Sequence, residues 1–140
     1  MKRTVFLFLL ATATVLLLSS CIIIDGDSVT YYKTFNSNLH GTWKTSYPES
    51  VELRIDFDKI IITGTVPSKK PLNGFIRDFP LDGYSEESVN KFSSIEGNLK
   101  IKNAGEWYTL PYAYQESLLN NEVLVLKGTS VGNNLTLYKQ

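Results

Sequence analysis

Polar and apolar residues alternate along much of this chain, most cleanly from Val51 to Asp58. Val51, Leu53, Ile55 and Phe57 fall on one side of an extended backbone, and Glu52, Arg54, Asp56 and Asp58 on the other. Such alternation marks a half-buried antiparallel strand. The stretch before it keeps the same period: Leu39, Gly41, Trp43 and Thr45 share one face, with His40, Thr42, Lys44 and Ser46 opposite. Tyr47-Pro48-Glu49-Ser50 turns the chain between these two runs. Asp58-Lys59 then turns it into Ile60–Val66, whose Ile and Thr content suits a strand.

Residues 67–90 break the pattern with Pro67, Pro71, Pro80, Gly74, Gly83 and a polar run from Ser85 to Asn90. They are compatible with a strand near Leu72–Phe79 and a short helical turn near Glu86–Lys91. Alternation resumes at Phe92–Ile95, Leu99–Lys102, Trp107–Tyr114, Val123–Lys127 and Leu135–Lys139. Between these runs fall Glu96-Gly97-Asn98, Asn103-Ala104-Gly105, Asn120-Asn121 and Gly132-Asn133-Asn134, whose Gly and Asn tolerate the positive φ of tight hairpin turns. No helix-length period follows the N-terminal segment. The fold class is therefore all-β: roughly eight consecutive strands joined by short turns, an up-and-down antiparallel meander that closes into a β-barrel to remove its edges. An immunoglobulin-like sandwich fits less well, because its interior Trp packs on a disulfide and this chain has 1 cysteine.

The N-terminal segment has a different character. Lys2 and Arg3 precede the uncharged apolar run Val5–Leu18, and small residues lead into Cys21. This is the layout of a secretory signal, and the run falls short of the roughly 20 residues that span a bilayer. Leu18-Ser19-Ser20-Cys21 resembles the lipobox of bacterial lipoproteins. The resemblance implies cleavage before Cys21, acylation of Cys21, and a mature protein held to a membrane through that lipid. A single acyl chain binds only marginally, so stable anchoring takes more than one, and lipoproteins of this type carry several. Ile22 is not the Asp that retains some lipoproteins in an inner membrane, which points to the outer membrane. The expected organisation is a signal peptide over 1–20, a lipid-anchored tether over 21–38 and a barrel domain over 39–140. Tyr31, Tyr32 and Phe35 are the tether residues apolar enough to dock on that domain.

Leu39-His40-Gly41-Thr42-Trp43-Lys44 resembles the Gly-x-Trp opening of lipocalin-like domains. Asn134-Leu135-Thr136-Leu137-Tyr138-Lys139 resembles the last strand of small lipocalin-like bacterial lipoproteins. In that family a basic residue of the final strand packs over the Trp and shuts one barrel end. The resemblance gives this closing role to Gly41, Trp43 and Lys139, Lys139 having the same parity as Leu135 and Leu137. A cation over an indole contributes about 0.5–2 kcal/mol. The chain departs from the larger family in lacking a mid-chain Thr-Asp-Tyr motif and a helix after the last strands, and 39–140 makes a smaller barrel.

Charge and candidate chemistry narrow the function. Lys+Arg and Asp+Glu are both 14; Lys2 and Arg3 leave with the signal, so the mature chain carries a net −2. That balance offers no basic stripe for nucleic acid. What remains is one domain's length. With Cys21 acylated there is no disulfide framework and no thiolate metal site. Signatures of the commoner enzymes are absent, and no cofactor is implied. His40, the only histidine, has no evident orienting partner for general-base work. A zinc site needs His or Cys ligands that the chain cannot supply. Asp56 and Asp58 read as a solvated rim, and Asp25-Gly26-Asp27 lacks the remaining ligands of a calcium loop. Trp107, Tyr108, Tyr112 and Tyr114, with Phe75, Phe79, Tyr84 and Phe92, are either the lining of a barrel mouth or ordinary core. Tyr108, Leu110, Tyr112 and Tyr114 share one face, opposite Trp107 and Thr109. Trp107, Tyr108, Tyr112 and Tyr114 are thus the candidate binding residues. The expected activity is non-enzymatic: a membrane-anchored binding module for a small apolar ligand or a protein partner. The alternative is a structural or host-contact lipoprotein with a filled barrel.

Overall fold

Alternating runs become strands here because their apolar sides share one interior. The computed structural model describes residues 33–91, 94–116, 119 and 121–140. Among them run eight strands: β1 (Gly41–Thr45), β2 (Ser50–Ile55), β3 (Lys59–Thr65), β4 (Leu81–Lys91), β5 (Ser94–Asn103), β6 (Glu106–Glu116), β7 (Glu122–Leu126) and β8 (Leu135–Lys139). Each is antiparallel to the next, and β8 pairs back onto β1 to close the barrel. Register sets inward residues side by side, with Trp43 opposite Leu53, Leu53 opposite Ile62, and Leu124 opposite Leu137. These residues are all fully buried, as are Leu99, Ile101, Leu126 and Leu135. Each such aliphatic side chain gains about 1.5–3 kcal/mol by leaving water.

Both barrel ends are covered by the chain itself. At one end a 3-10 turn, Ser37–Leu39, buries Leu39. Just before it, Phe35, which the sequence marks as apolar enough to dock on the barrel, enters the core at 2% exposure, so packed chain begins ahead of Leu39. The Phe35 N–H donates to the Phe57 carbonyl (2.8 Å), and the Thr34 carbonyl accepts from the Ser85 N–H (3.1 Å). The Phe35 ring lies over Gly83, where a Cβ would come within 2.3 Å of it. At the other end residues 66–80 cross the barrel as a plug, burying Val66 and Leu72. Arg77 holds this plug: its guanidinium donates to the carbonyls of Leu72 (3.1 Å), Gly64 (3.3 Å) and Phe75. Asn103 joins it to β5, accepting from the Ile76 N–H at 2.9 Å.

Several local expectations are corrected. Leu72–Phe79 is not a strand, because Lys69, Leu72, Asp78 and Gly74 all take positive φ and wind the plug into turns. Glu86–Lys91 is not helical. It belongs to β4, where β5 supplies a ladder to residue 91, with a bulge between Glu87 and Val89. Glu96-Gly97-Asn98 is not a turn but the middle of β5. Gly97 is there for close approach: a Cβ would stand 2.4 Å from the Glu86 carbonyl oxygen and 2.9 Å from the Tyr112 ring. Phe57 is 56% exposed rather than inward, because β2 ends at Ile55 and the Asp56 carboxylate accepts the Phe57 N–H as the chain turns. The first strand starts at Gly41, after the turn that holds Leu39. Phe92, Asn120, Tyr31, Tyr32, Asp25-Gly26-Asp27, Cys21 and the signal segment lie outside the described residues.

Candidate functional site

Trp43, the largest wholly buried side chain, organises the end nearest the chain's entry. Its Nε1–H donates to the Leu39 carbonyl at 2.8 Å, which fixes the indole against the 3-10 turn. Lys139, its ladder partner on β8, places Nζ 5.3 Å from the ring centroid. The same ammonium pairs with Glu122 of β7 and stands 3.5 Å from the Asn38 carbonyl. Gly41 completes the group, since a Cβ there would lie 3.3 Å from the Lys139 Cε. Gly41, Trp43 and Lys139 are therefore in one cluster that joins β1, β7, β8 and the entering chain.

The aromatic residues of β6 divide into two groups. Tyr112 and Tyr114 lie inside, at 1% and 6% exposure. Tyr114 packs edge-on against Trp43, with ring centroids 6.2 Å apart. Burial raises the Tyr114 hydroxyl's pKa, and Glu122 and Glu116 add to the shift. Burial likewise pushes Tyr112 up to about 12, with Glu87 adding to it. The Tyr112 hydroxyl makes no aligned hydrogen bond among the described residues. Ser85, whose Oγ accepts the Asn36 N–H at 2.7 Å, approaches the hydroxyl and works against that rise. Trp107 and Tyr108 are instead exposed at 53% and 40%. Tyr108 packs on Phe75 of the plug, and Trp107 packs on Tyr84 of β4, each at 5.4 Å. The four sequence candidates thus do not form one rim: two build the core and two face water.

Outside the barrel, Tyr84 carries the Lys33 ammonium 4.7 Å from its centroid, extending the Trp107–Tyr84 contact into an outer stack. On the other side of β6, where β7 ends, lies a groove of about 320 Å³ lined by Lys69, Lys70, Pro71, Thr109, Leu110, Pro111, Lys127, Gly128 and Thr129. Tyr84 belongs to the aromatic group that the sequence singles out, whereas Lys33 and the three groove lysines carry no such mark. Pro111 was the available signal, because proline inside a strand sits at an edge or a bulge.

The polar candidates are engaged locally. His40 Nε2 lies 3.0 Å from the Phe35 carbonyl oxygen, so it must carry the proton and donate it. Asp58 pairs with Lys59 at 3.6 Å, and Lys59 also contacts Asp82 across the β3–β4 seam. That contact lowers the Asp82 pKa and raises that of Lys59. Among the described residues no cluster of His, Cys, Asp and Glu has the arrangement of a metal site. Compared with protein-family models, curated proteins and solved structures, the chain gives no significant match.

Proposed function

We propose that this chain is a bacterial lipoprotein, acylated at Cys21 and held on the outer membrane, with a small lipocalin-like barrel that binds a protein partner on its outer surface. One observation carries the choice of surface over interior. Trp43, Leu53, Tyr112 and Leu124, at most 1% exposed, occupy the space a small apolar ligand would need. Small-molecule sites are commonly about 300–1,000 Å³, and both ends of this barrel are closed by its own chain. Trp107 and Tyr108, by contrast, offer aromatic surface to water, and aromatic residues are enriched at protein interfaces. The reading assigns the barrel no catalysis and no cofactor.

The test uses the protein in its own cells. A photo-crosslinker replacing Trp107 is expected to capture a defined protein neighbour, and one replacing Arg54 is not. Labelled fatty acid is expected on the chain but not on Cys21→Ser. A small molecule retained inside the purified barrel in native mass spectrometry would overturn the surface reading. Failure of the fatty acid to appear would overturn the anchor.

A further inference from the structure

β6 is longer than the strand that follows it. Tyr112 is its first residue with a β7 partner, Leu126; from Glu106 to Leu110 it pairs with β5 alone. Along an antiparallel strand, successive residues turn their N–H and C=O to opposite sides. The Pro111 carbonyl points to the β7 side, where it accepts the Lys127 N–H at 2.8 Å. By the same alternation Trp107 and Thr109 turn N–H and C=O to that side, where no described strand runs. β7 cannot continue there, because Gly128 bends away and donates its N–H to Asn134 Oδ1 at 3.0 Å.

This open edge forms one wall of the groove of about 320 Å³. Lys69, Lys70 and Lys127 also line the groove, and no carboxylate does. Glu49 sits 3.8 Å from Lys70 and Glu96 sits 3.1 Å from Lys127, while Lys69 has no ion-pair partner among the described residues. Trp107, on the same strand, is braced across β5 by Tyr84 of β4. A rigid aromatic of this kind is the usual centre of an interface's binding energy.

The geometry points to strand addition: an extended peptide segment bearing carboxylates pairs with β6 over Glu106–Leu110, its acids meeting the groove lysines. The inference rests on the outward-facing reading above and gives that partner a chemistry and a place. In strand addition the main-chain hydrogen bonds supply affinity and the flanking side chains supply selectivity. Here Trp107 and Thr109 supply the main-chain groups, and the lysines select for acid. A second copy of the chain suits the edge poorly, because edge-to-edge pairing would bring like lysines together.

The probe is a peptide of alternating valine and glutamate, added to the full protein in detergent, with a valine–lysine peptide as its counterpart. The glutamate peptide is expected to slow amide hydrogen exchange at Trp107 and Thr109, and the lysine peptide is not. Thr109→Pro removes an outward N–H and leaves the β5 backbone ladder in place, at the cost of the Oγ1 that accepts from Lys100 Nζ at 2.7 Å, and is expected to abolish binding. Lys69→Glu, on an exposed loop, keeps the test decisive if the proline variant does not fold, and should weaken binding roughly fivefold at low salt. The inference fails if saturating glutamate peptide leaves exchange at Trp107 and Thr109 unchanged. It fails equally if the lysine peptide binds as well, or if folded Thr109→Pro still binds. A protein crosslinked at position 107 that leaves those amides unprotected would end this inference and leave the surface reading intact.

Discussion

Lys139 and Trp43 face each other across the β1–β8 ladder, with the ammonium 5.3 Å from the indole centroid. That contact reinforces the ladder joining the last strand to the first, and Glu122 brings β7 into it. Lys139→Met keeps the stem that covers the ring but removes the charge, leaving Glu122 without its cation. Urea unfolding is expected to show a loss of about 1–2 kcal/mol, with Lys139→Arg losing less. A methionine variant as stable as the parent would show that the cation does not contribute.

Phe35 and Gly83 form a second coupled pair. A methyl at position 83 would stand 2.3 Å from the Phe35 ring and 3.0 Å from the Lys100 carbonyl oxygen. Gly83→Ala is expected to cost about 1–3 kcal/mol through overpacking. Combined with Phe35→Leu, the loss should be smaller than the sum of the two single losses, because the ring that clashes has gone. Strict additivity in denaturant unfolding would mean that the entering chain does not pack on β4.

The Tyr112 hydroxyl gives the fold an alkaline limit. Its pKa rises from 10.0 to about 12, so between those values the unfolded chain gives up its proton while the folded chain keeps it. This contribution is intact below pH 10.0 and is lost as pH climbs towards 12. Tyr112→Phe should flatten part of that decline, Tyr114 being shifted in the same direction and accounting for another part. At neutral pH the phenylalanine variant is expected to be as stable as the parent or more so, since it deletes a buried hydroxyl without an aligned partner. Thermal melts across pH on both proteins check both statements.

Arg77 is the fastening of the plug. Arg77→Leu strands the carbonyls of Gly64, Leu72 and Phe75 that its guanidinium serves. A local loss of about 1–3 kcal/mol is expected, read as faster amide exchange and faster proteolysis within 67–80. The midpoint of global unfolding should move less, because water can reach those carbonyls once the segment lifts.

Where strict alternation ran for several residues, the sequence held its own answer. Val51, Leu53 and Ile55 point inward, as do Ile60 and Ile62, and Leu135 and Leu137. The closed antiparallel meander followed from such runs and their turns. What escaped were features decided by distant residues. Gly83 and Ser85 make β4's inner side look polar because Phe35 fills that space from another part of the chain. Gly97 beside Asn98 reads locally as a turn, yet the glycine answers to the Tyr112 ring. Along β6 no change in alternation separates buried Tyr112 from exposed Tyr108; what separates them is where β7 stops, a fact about another strand.

Among the described residues the β3–β4 ladder has two residue pairs, Lys59 with Asp82 and Ile60 with Leu81, and the Gly83 N–H donating to the Asp58 carbonyl at 2.9 Å just beyond them. A cylinder fastened so lightly along one line behaves like a strip with a clasp. Acid should undo it there first, when protonation of Asp82 removes the charge that Lys59 grips. The molecule would then unroll from one slit rather than dissolve everywhere at once.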